Sequence, residues 1–261
     1  MSVDDVRPDL PTDEALAHEV ESGTGALRLD LTRRLAAEGP GTGLLVMAVV
    51  GSGIAASRLS SGDVGLQLLE NAAATAGALI GLILMFGAVS GAHFNPVVTL
   101  LDRLLGTTTT RDTGLYVVAQ VGGGCLGAIL ANLMFDLPAV GLSTHARSSG
   151  ALLPAERGAT VTPLPLIQGC VRTGRAAVIP FAVGAWIGGA YFFTSSTSFA
   201  NPAVTIARTL SDTFAGIAPS SAPMFVLVQL AAVGVADALG RPFYPHPRSD
   251  PHPRSPTPPT R

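Results

Sequence analysis

The sequence predicts an all-α membrane protein with six transmembrane helices plus two re-entrant half-helices, arranged as an inverted repeat. Three observations predict it. Of the 261 residues, 48% are hydrophobic and only 13% are charged, about half the charged share of an ordinary soluble domain. Apolar windows near 20 residues recur along the chain, long enough to cross a bilayer core as helices. One short phrase occurs twice, His-Phe-Asn-Pro-Val-Val-Thr-Leu at 93–100 and Phe-Ala-Asn-Pro-Ala-Val-Thr-Ile at 199–206, with Asn95 and Asn201 standing 106 residues apart. That period is too long for a solenoid unit. A duplicated apolar half, broken at matching positions, points to a membrane pore or carrier.

The first element, residues 1–37, is polar and acidic, without a short apolar run and small-residue cleavage site. It is expected to be a cytosolic tail rather than a signal peptide. The windows at 40–57, 72–92, 114–135, 176–194 and 221–240 are the expected spans. Between them, 95–104 and 201–210 are too short to cross. Each opens with Asn as the N-cap and Pro at the first helical position, so each predicts a half-helix entering the membrane. Both copies are followed by spans with similar cores, Tyr-Val-Val-Ala-Gln at 116–120 and Phe-Val-Leu-Val-Gln at 225–229.

The repeat requires a sixth span near 151–171. That stretch carries Pro154, Pro163 and Pro165 beside the Glu156-Arg157 pair. An interior proline costs about 3 kcal/mol in an ordinary helix, so this is the weakest span. The expected channel domain is 38–240, with half-repeats at about 38–135 and 151–240. Residues 241–261, dense in Pro with His, Arg and Ser, predict a disordered cytosolic tail.

Orientation follows from the short-loop charges. Arg28, Arg33, Arg34, Arg103, Arg111, Arg172, Arg175 and Arg241 all fall on one side of a six-span chain, together with both termini. That side is expected to be the cytoplasm.

A half-helix ending at the bilayer midplane presents free backbone N–H groups and the positive end of its dipole, about half an elementary charge. Two such ends would bring Asn95 and Asn201 together as adjacent caps. Their amides can donate to water or a small polyol, while a cation meets two positive helix ends and is repelled. The net charge of −2 gives no support for nucleic-acid binding. Cys125 and Cys170 lie in or beside apolar stretches and are expected to be packing residues rather than a disulfide or metal site. The thirty glycines suit close helix approach in lipid.

These features resemble the major intrinsic protein family, the aquaporins and aquaglyceroporins. The resemblance covers about 33–240. It rests on Ser90-Gly91-Ala92-His93-Phe94-Asn95-Pro96-Val97, on Asn201-Pro202-Ala203, on Glu38 with Thr42, and on Gln120. It implies that Glu38 and Glu156 support the re-entrant loops, that His93 lines a vestibule, and that the protein is a homotetramer with one pore per protomer. Val97 departs from the family's Asn-Pro-Ala and is expected to be tolerated, since it leaves the Asn95 amide unchanged.

By family spacing, the outer constriction is expected at Thr75, Gly189, Ser198 and Val204. All four are small and uncharged, where water-selective relatives place an aromatic, a His and an Arg. Arg208 lies one helical turn past Val204 and is not assumed to replace the missing Arg. A wide, Arg-less constriction implies passage of larger neutral solutes, glycerol or undissociated metalloid acids such as arsenite. The run at 201–216 is similar to a bacterial subgroup linked with arsenite passage.

Two other readings stay open. An ion- or proton-coupled carrier would need ionisable groups near the midplane, for which His93 and Asp237 are the candidates. A family member that folds poorly is the other, given the prolines of the fourth span and Asp237 in the sixth. No Gly-x-Ser-x-Gly or His-Glu-x-x-His motif is present, so an intramembrane enzyme is not expected, and no cofactor or metal is implied. The expected location is the cell membrane, in contact with lipid.

Overall fold

A computed structural model describes residues 30–147 and 152–243. The described residues are helical or irregular, with no strand among them. In chain order the helices are α1 (Leu31–Leu59), α2 (Val64–Ser90), α3 (Pro96–Leu104), α4 (Thr110–Met134), α5 (Leu152–Val161), α6 (Pro163–Arg172), α7 (Ile179–Phe193), α8 (Pro202–Ala207) and α9 (Ala222–Phe243). A single 3-10 turn at Ala176–Val178 leads into α7, and another at Arg208–Leu210 continues α8. The expected tails 1–37 and 241–261 lie mostly outside the described residues. Where they are described they are helical: α1 already runs from Leu31, and α9 continues to Phe243.

Five helical stretches are long and apolar enough to cross a membrane. The remaining span, fourth in chain order, is two helices rather than one. Its prolines do not interrupt a helix as expected from the sequence, because Pro163 opens α6 and Pro165 follows within the first turn. Pro154 likewise lies in the first turn of α5. The first-turn N–H groups have no intrahelical acceptor in any case, so a ring there removes nothing. Thr162 bridges the break by donating both its backbone N–H and its hydroxyl to the Gly158 carbonyl. Together α5 and α6 cover 152–172, about 30 Å at 1.5 Å per residue, enough to span.

Close backbone approach joins α1 to α4. A Cβ added at Gly123 would overlap the Gly39 carbonyl, and one at Gly127 would overlap the Gly43 carbonyl. Both pairs are spaced by four residues, which puts each pair on one helix face. Near the start of α1, Arg34 donates to the Tyr116 hydroxyl at 2.8 Å and pairs with Asp112 at 3.2 Å. Tyr116 in turn donates to the Ser90 carbonyl at 3.0 Å. This ties α1, α4 and the end of α2 together at what is called here the near face, where α1 begins and α9 ends.

The half-helices cross between the repeats: α8, from the second, packs on α4, and α3, from the first, packs on α9. Their N-termini therefore converge at the centre, between the two sets of spans.

Candidate functional site

Each half-helix begins on its own Asn. The Asn95 side-chain oxygen accepts from the Val97 N–H at 3.0 Å, and that of Asn201 accepts from Ala203 and Val204 at 2.9 and 3.2 Å. Pro96 and Pro202 take the first helical positions. The nitrogens reach across to the opposite loop. Asn95 Nδ2 donates to the Ala200 carbonyl at 2.8 Å, and Asn201 Nδ2 donates to the Phe94 carbonyl at 2.7 Å. An amide nitrogen carries two hydrogens, so one remains on each for a visitor. The sequence predicts amides that donate to a passing solute; the structure also uses one hydrogen of each to join the loops.

The loops before the caps are shaped alike. Gly91, Ala92 and Phe94 have positive φ, and so do Thr197, Ser198 and Ala200, each 106 residues further on. For non-glycine residues this region costs of order 1–3 kcal/mol each, so something must hold it. Buried carboxylates do. Glu38 accepts from the His93 and Phe94 N–H groups at 3.0 and 2.8 Å, and also from Ser90 and Gln120. Glu156 accepts from the Phe199 and Ala200 N–H groups at 3.2 and 2.5 Å and from Gln229 at 2.6 Å. Both are fully buried. Each glutamine also reaches a threonine of the half-helix, Gln120 to Thr99 and Gln229 to Thr205. The matched apolar cores ending in Gln were the sequence signal for this pair.

Along these groups runs a cavity of about 590 Å³. His93 and Asp102 line it toward the near face, Asn95 and Asn201 line its middle, and Thr75 and Ser198 line it toward the far face. His93 Nδ1 lies 3.1 Å from the Thr99 hydroxyl, and Nε2 lies 3.2 Å from an Asp102 carboxylate oxygen. Val97 and Val204 line the cavity, whereas Pro96, Pro202 and Ala203 are buried behind it.

At the far end the expected set needs correction. Thr75, Ser198 and Val204 line the cavity, but Gly189 is exposed on the outer side of α7. Tyr191 stands there instead, its hydroxyl 3.1 Å from that of Thr75. Two residues along a helix rotate a side chain by about 200°, so an offset of two turns a lining position into a lipid-facing one. The end is also not Arg-less. Arg208 lies four residues after Val204 on the same helical face, is 2% exposed, and lines the cavity. Its Nε donates to the Ala215 carbonyl, and its guanidinium lies 3.6 Å from the centroid of the Phe199 ring.

Arg208 also lines a second cavity, of about 190 Å³, with Asn71, Arg147 and Thr197. Burial pushes the Arg147 guanidinium below its ordinary value, with nearby Glu156 opposing. Beside it, Thr144 donates its N–H and hydroxyl to Asp212 at 2.8 and 3.0 Å. Those bonds hold the Asp212 carboxyl below its ordinary value, with a smaller contribution from His145.

The family model described as "Major intrinsic protein" matches residues 26–159. Aquaglyceroporin AqpS of Rhizobium meliloti (strain 1021) is 48% identical over 212 residues, covering 81% of this chain and 90% of that protein. The chain belongs to the major intrinsic protein family. Aquaporin TIP4-4 of Zea mays is 34% identical over 142 residues, 52% of this chain and 53% of that one. The fold matches the X-ray structure of the aquaglyceroporin from Plasmodium falciparum with a TM-score of 0.63 at 21% identity, covering 82% of this chain and 96% of that one. Proteins of the major intrinsic protein family are integral membrane channels for water and small solutes and are not enzymes, and that statement extends to this member.

Proposed function

We propose that the cavity is a passive pore for small neutral polyols and undissociated metalloid acids, glycerol and arsenite being the test solutes, with water passing alongside. The observation that carries this reading is the far-end lining of Thr75, Ser198 and Val204. These three small side chains share the far end with the Tyr191 hydroxyl and the Arg208 guanidinium, so the bulk lies to one part of the rim and the polar groups there can meet a solute oxygen. The one free hydrogen on each of Asn95 and Asn201 offers a donor to a solute oxygen, and the positive helix ends beneath them disfavour cations. The name of the 48% identical relative, an aquaglyceroporin, agrees with a solute larger than water.

The near face is read as cytoplasmic. Arg33, Arg34, Arg103, Arg111, Arg172 and Arg175 fall on that side, as the positive-inside rule requires. Residues 38–240 are read as the channel domain, flanked by cytoplasmic tails. The assembly is read as a homotetramer in the cell membrane, with lipid on the outward helix faces.

Stopped-flow swelling of proteoliposomes under water, glycerol and arsenite gradients tests the reading, comparing wild type with Val204→Arg. A second guanidinium one turn from Arg208 is expected to remove glycerol and arsenite flux before water flux. Equal passage of all three in both proteins sinks the proposed role of the far-end lining.

A further inference from the structure

We infer that the far-face cavity between Arg147 and Arg208 binds a small oxyanion, which then slows passage through the larger cavity. Two cations line this space of about 190 Å³, and no carboxylate does. Among the described residues neither arginine has a carboxylate within 4.0 Å. Removing a charge from water without a counter-charge is costly, and Arg208 is fully buried. Arg147 beside it is half-buried. Glu156, which bears on Arg147 from beyond 4.0 Å, already accepts from Phe199, Ala200 and Gln229, so the arginine pair is matched to an incoming anion.

The backbone fixes both side chains for that purpose. Arg208 Nε donates to the Ala215 carbonyl, and Arg147 Nε donates to the next carbonyl, Gly216, at 3.1 Å. Arg147 is anchored again by its own backbone N–H, which donates to Ser221 Oγ at 3.0 Å. Both guanidiniums lie against the same aromatic ring, at 5.1 Å from the Phe199 centroid for Arg147 and 3.6 Å for Arg208. With each Nε spent on a carbonyl, the terminal nitrogens are the groups left to meet a ligand. Guanidinium forks match the paired oxygens of a carboxylate or phosphate. A volume of 190 Å³ exceeds that of several waters at about 30 Å³ each, so acetate or inorganic phosphate fits. Arg208 is the residue common to the two linings, so an anion held in the smaller space pairs with a guanidinium that also faces the larger one.

The test uses the full chain and inorganic phosphate, with acetate as a second oxyanion and chloride at equal ionic strength as the control. In detergent, phosphorus-31 linewidth reads phosphate binding directly. In proteoliposomes, glycerol swelling reads obstruction, each variant being compared with its own rate in chloride. Wild type is expected to broaden the phosphate signal and to pass glycerol more slowly in phosphate and in acetate than in chloride. Arg147→Gln is expected to weaken phosphate binding about tenfold, the loss of one charge-assisted contact. If Arg147→Gln does not fold, Arg147→Lys keeps the charge without the fork and is expected to weaken binding less. No broadening by wild type overturns the inference, and so does equal broadening by wild type and whichever Arg147 variant folds. If glycerol fails to permeate even in chloride, the transport reading fails, while the linewidth still decides the anion site.

Discussion

Asn95 and Asn201 are each bonded to the loop that carries the other, Asn95 to the Ala200 carbonyl and Asn201 to the Phe94 carbonyl. The two half-helices are therefore joined tip to tip, and the pore lining and the fold depend on the same amides. Asn95→Asp puts a carboxylate oxygen opposite the Ala200 carbonyl in place of a donor. The expected outcome is lost glycerol swelling together with a thermal midpoint lowered by several degrees, from a cost of about 1–3 kcal/mol. An unchanged midpoint, measured in the same detergent, contradicts the cross-loop bond.

Glu156, fully buried, holds two loop N–H groups and the Gln229 amide. Glu156→Gln keeps the shape but removes the charge and turns one acceptor atom into a donor facing donors. Destabilisation of about 2–4 kcal/mol is expected, with a comparable effect for Glu38→Gln. Chemical denaturation in mixed micelles reads it, and a loss below about 0.5 kcal/mol is no more than an ordinary surface substitution gives.

Gly127→Ala tests the contact between α1 and α4. Its new methyl would overlap the backbone carbonyl of Gly43, which cannot rotate away. Backbone shifts of this kind cost about 1–3 kcal/mol. By contrast, Gly122→Ala on the same helix meets nothing within 4 Å and is expected to be neutral or slightly stabilising. Comparing the two thermal midpoints removes any general effect of Gly→Ala on α4.

Acid sensitivity is expected at the far-face loop. Thr144 lowers the Asp212 pKa in the folded state relative to its ordinary 3.8. A depressed folded value means the contribution is fully present above the unfolded value and is lost as pH falls through the folded one. Wild type should therefore lose stability below about pH 4 more steeply than Asp212→Asn. Parallel pH profiles of the thermal midpoint for the two proteins remove Asp212 as the cause.

How much of this was legible in the sequence varied with the kind of information required. The paired half-helices were legible because each cap and first-turn proline is a local signal that occurs twice. The carboxylate supports followed from resemblance, and matched Gln120 and Gln229 marked where their partners lie. Gly189 was assigned by counting back from Asn201, which assumes a connection of fixed length. Counting forward along α7 works better: Pro180, Val183, Ile187 and Tyr191 all line the cavity at helical spacing of three or four, a stripe that passes through Tyr191 and misses Gly189. Arg208 was set aside for being a turn too late, although a residue four positions on shares a helical face. The break at Thr162 was hidden because a proline signals trouble inside a helix and a start at its first turn, and composition alone does not say which.

One feature of the repeat reaches beyond either half. Asp102 and Arg208 stand seven residues after Asn95 and Asn201, so the duplication places opposite charges at corresponding points, one toward each mouth of the cavity. Each lies at the carbonyl end of its half-helix, where Arg208 offsets the negative dipole end and Asp102 reinforces it. The passage is thus electrically lopsided although its scaffold is nearly symmetric. Net flow of a neutral solute still obeys its gradient alone. A stray anion is disfavoured at one threshold and a stray cation at the other, so leakage of either sign is opposed without a gate.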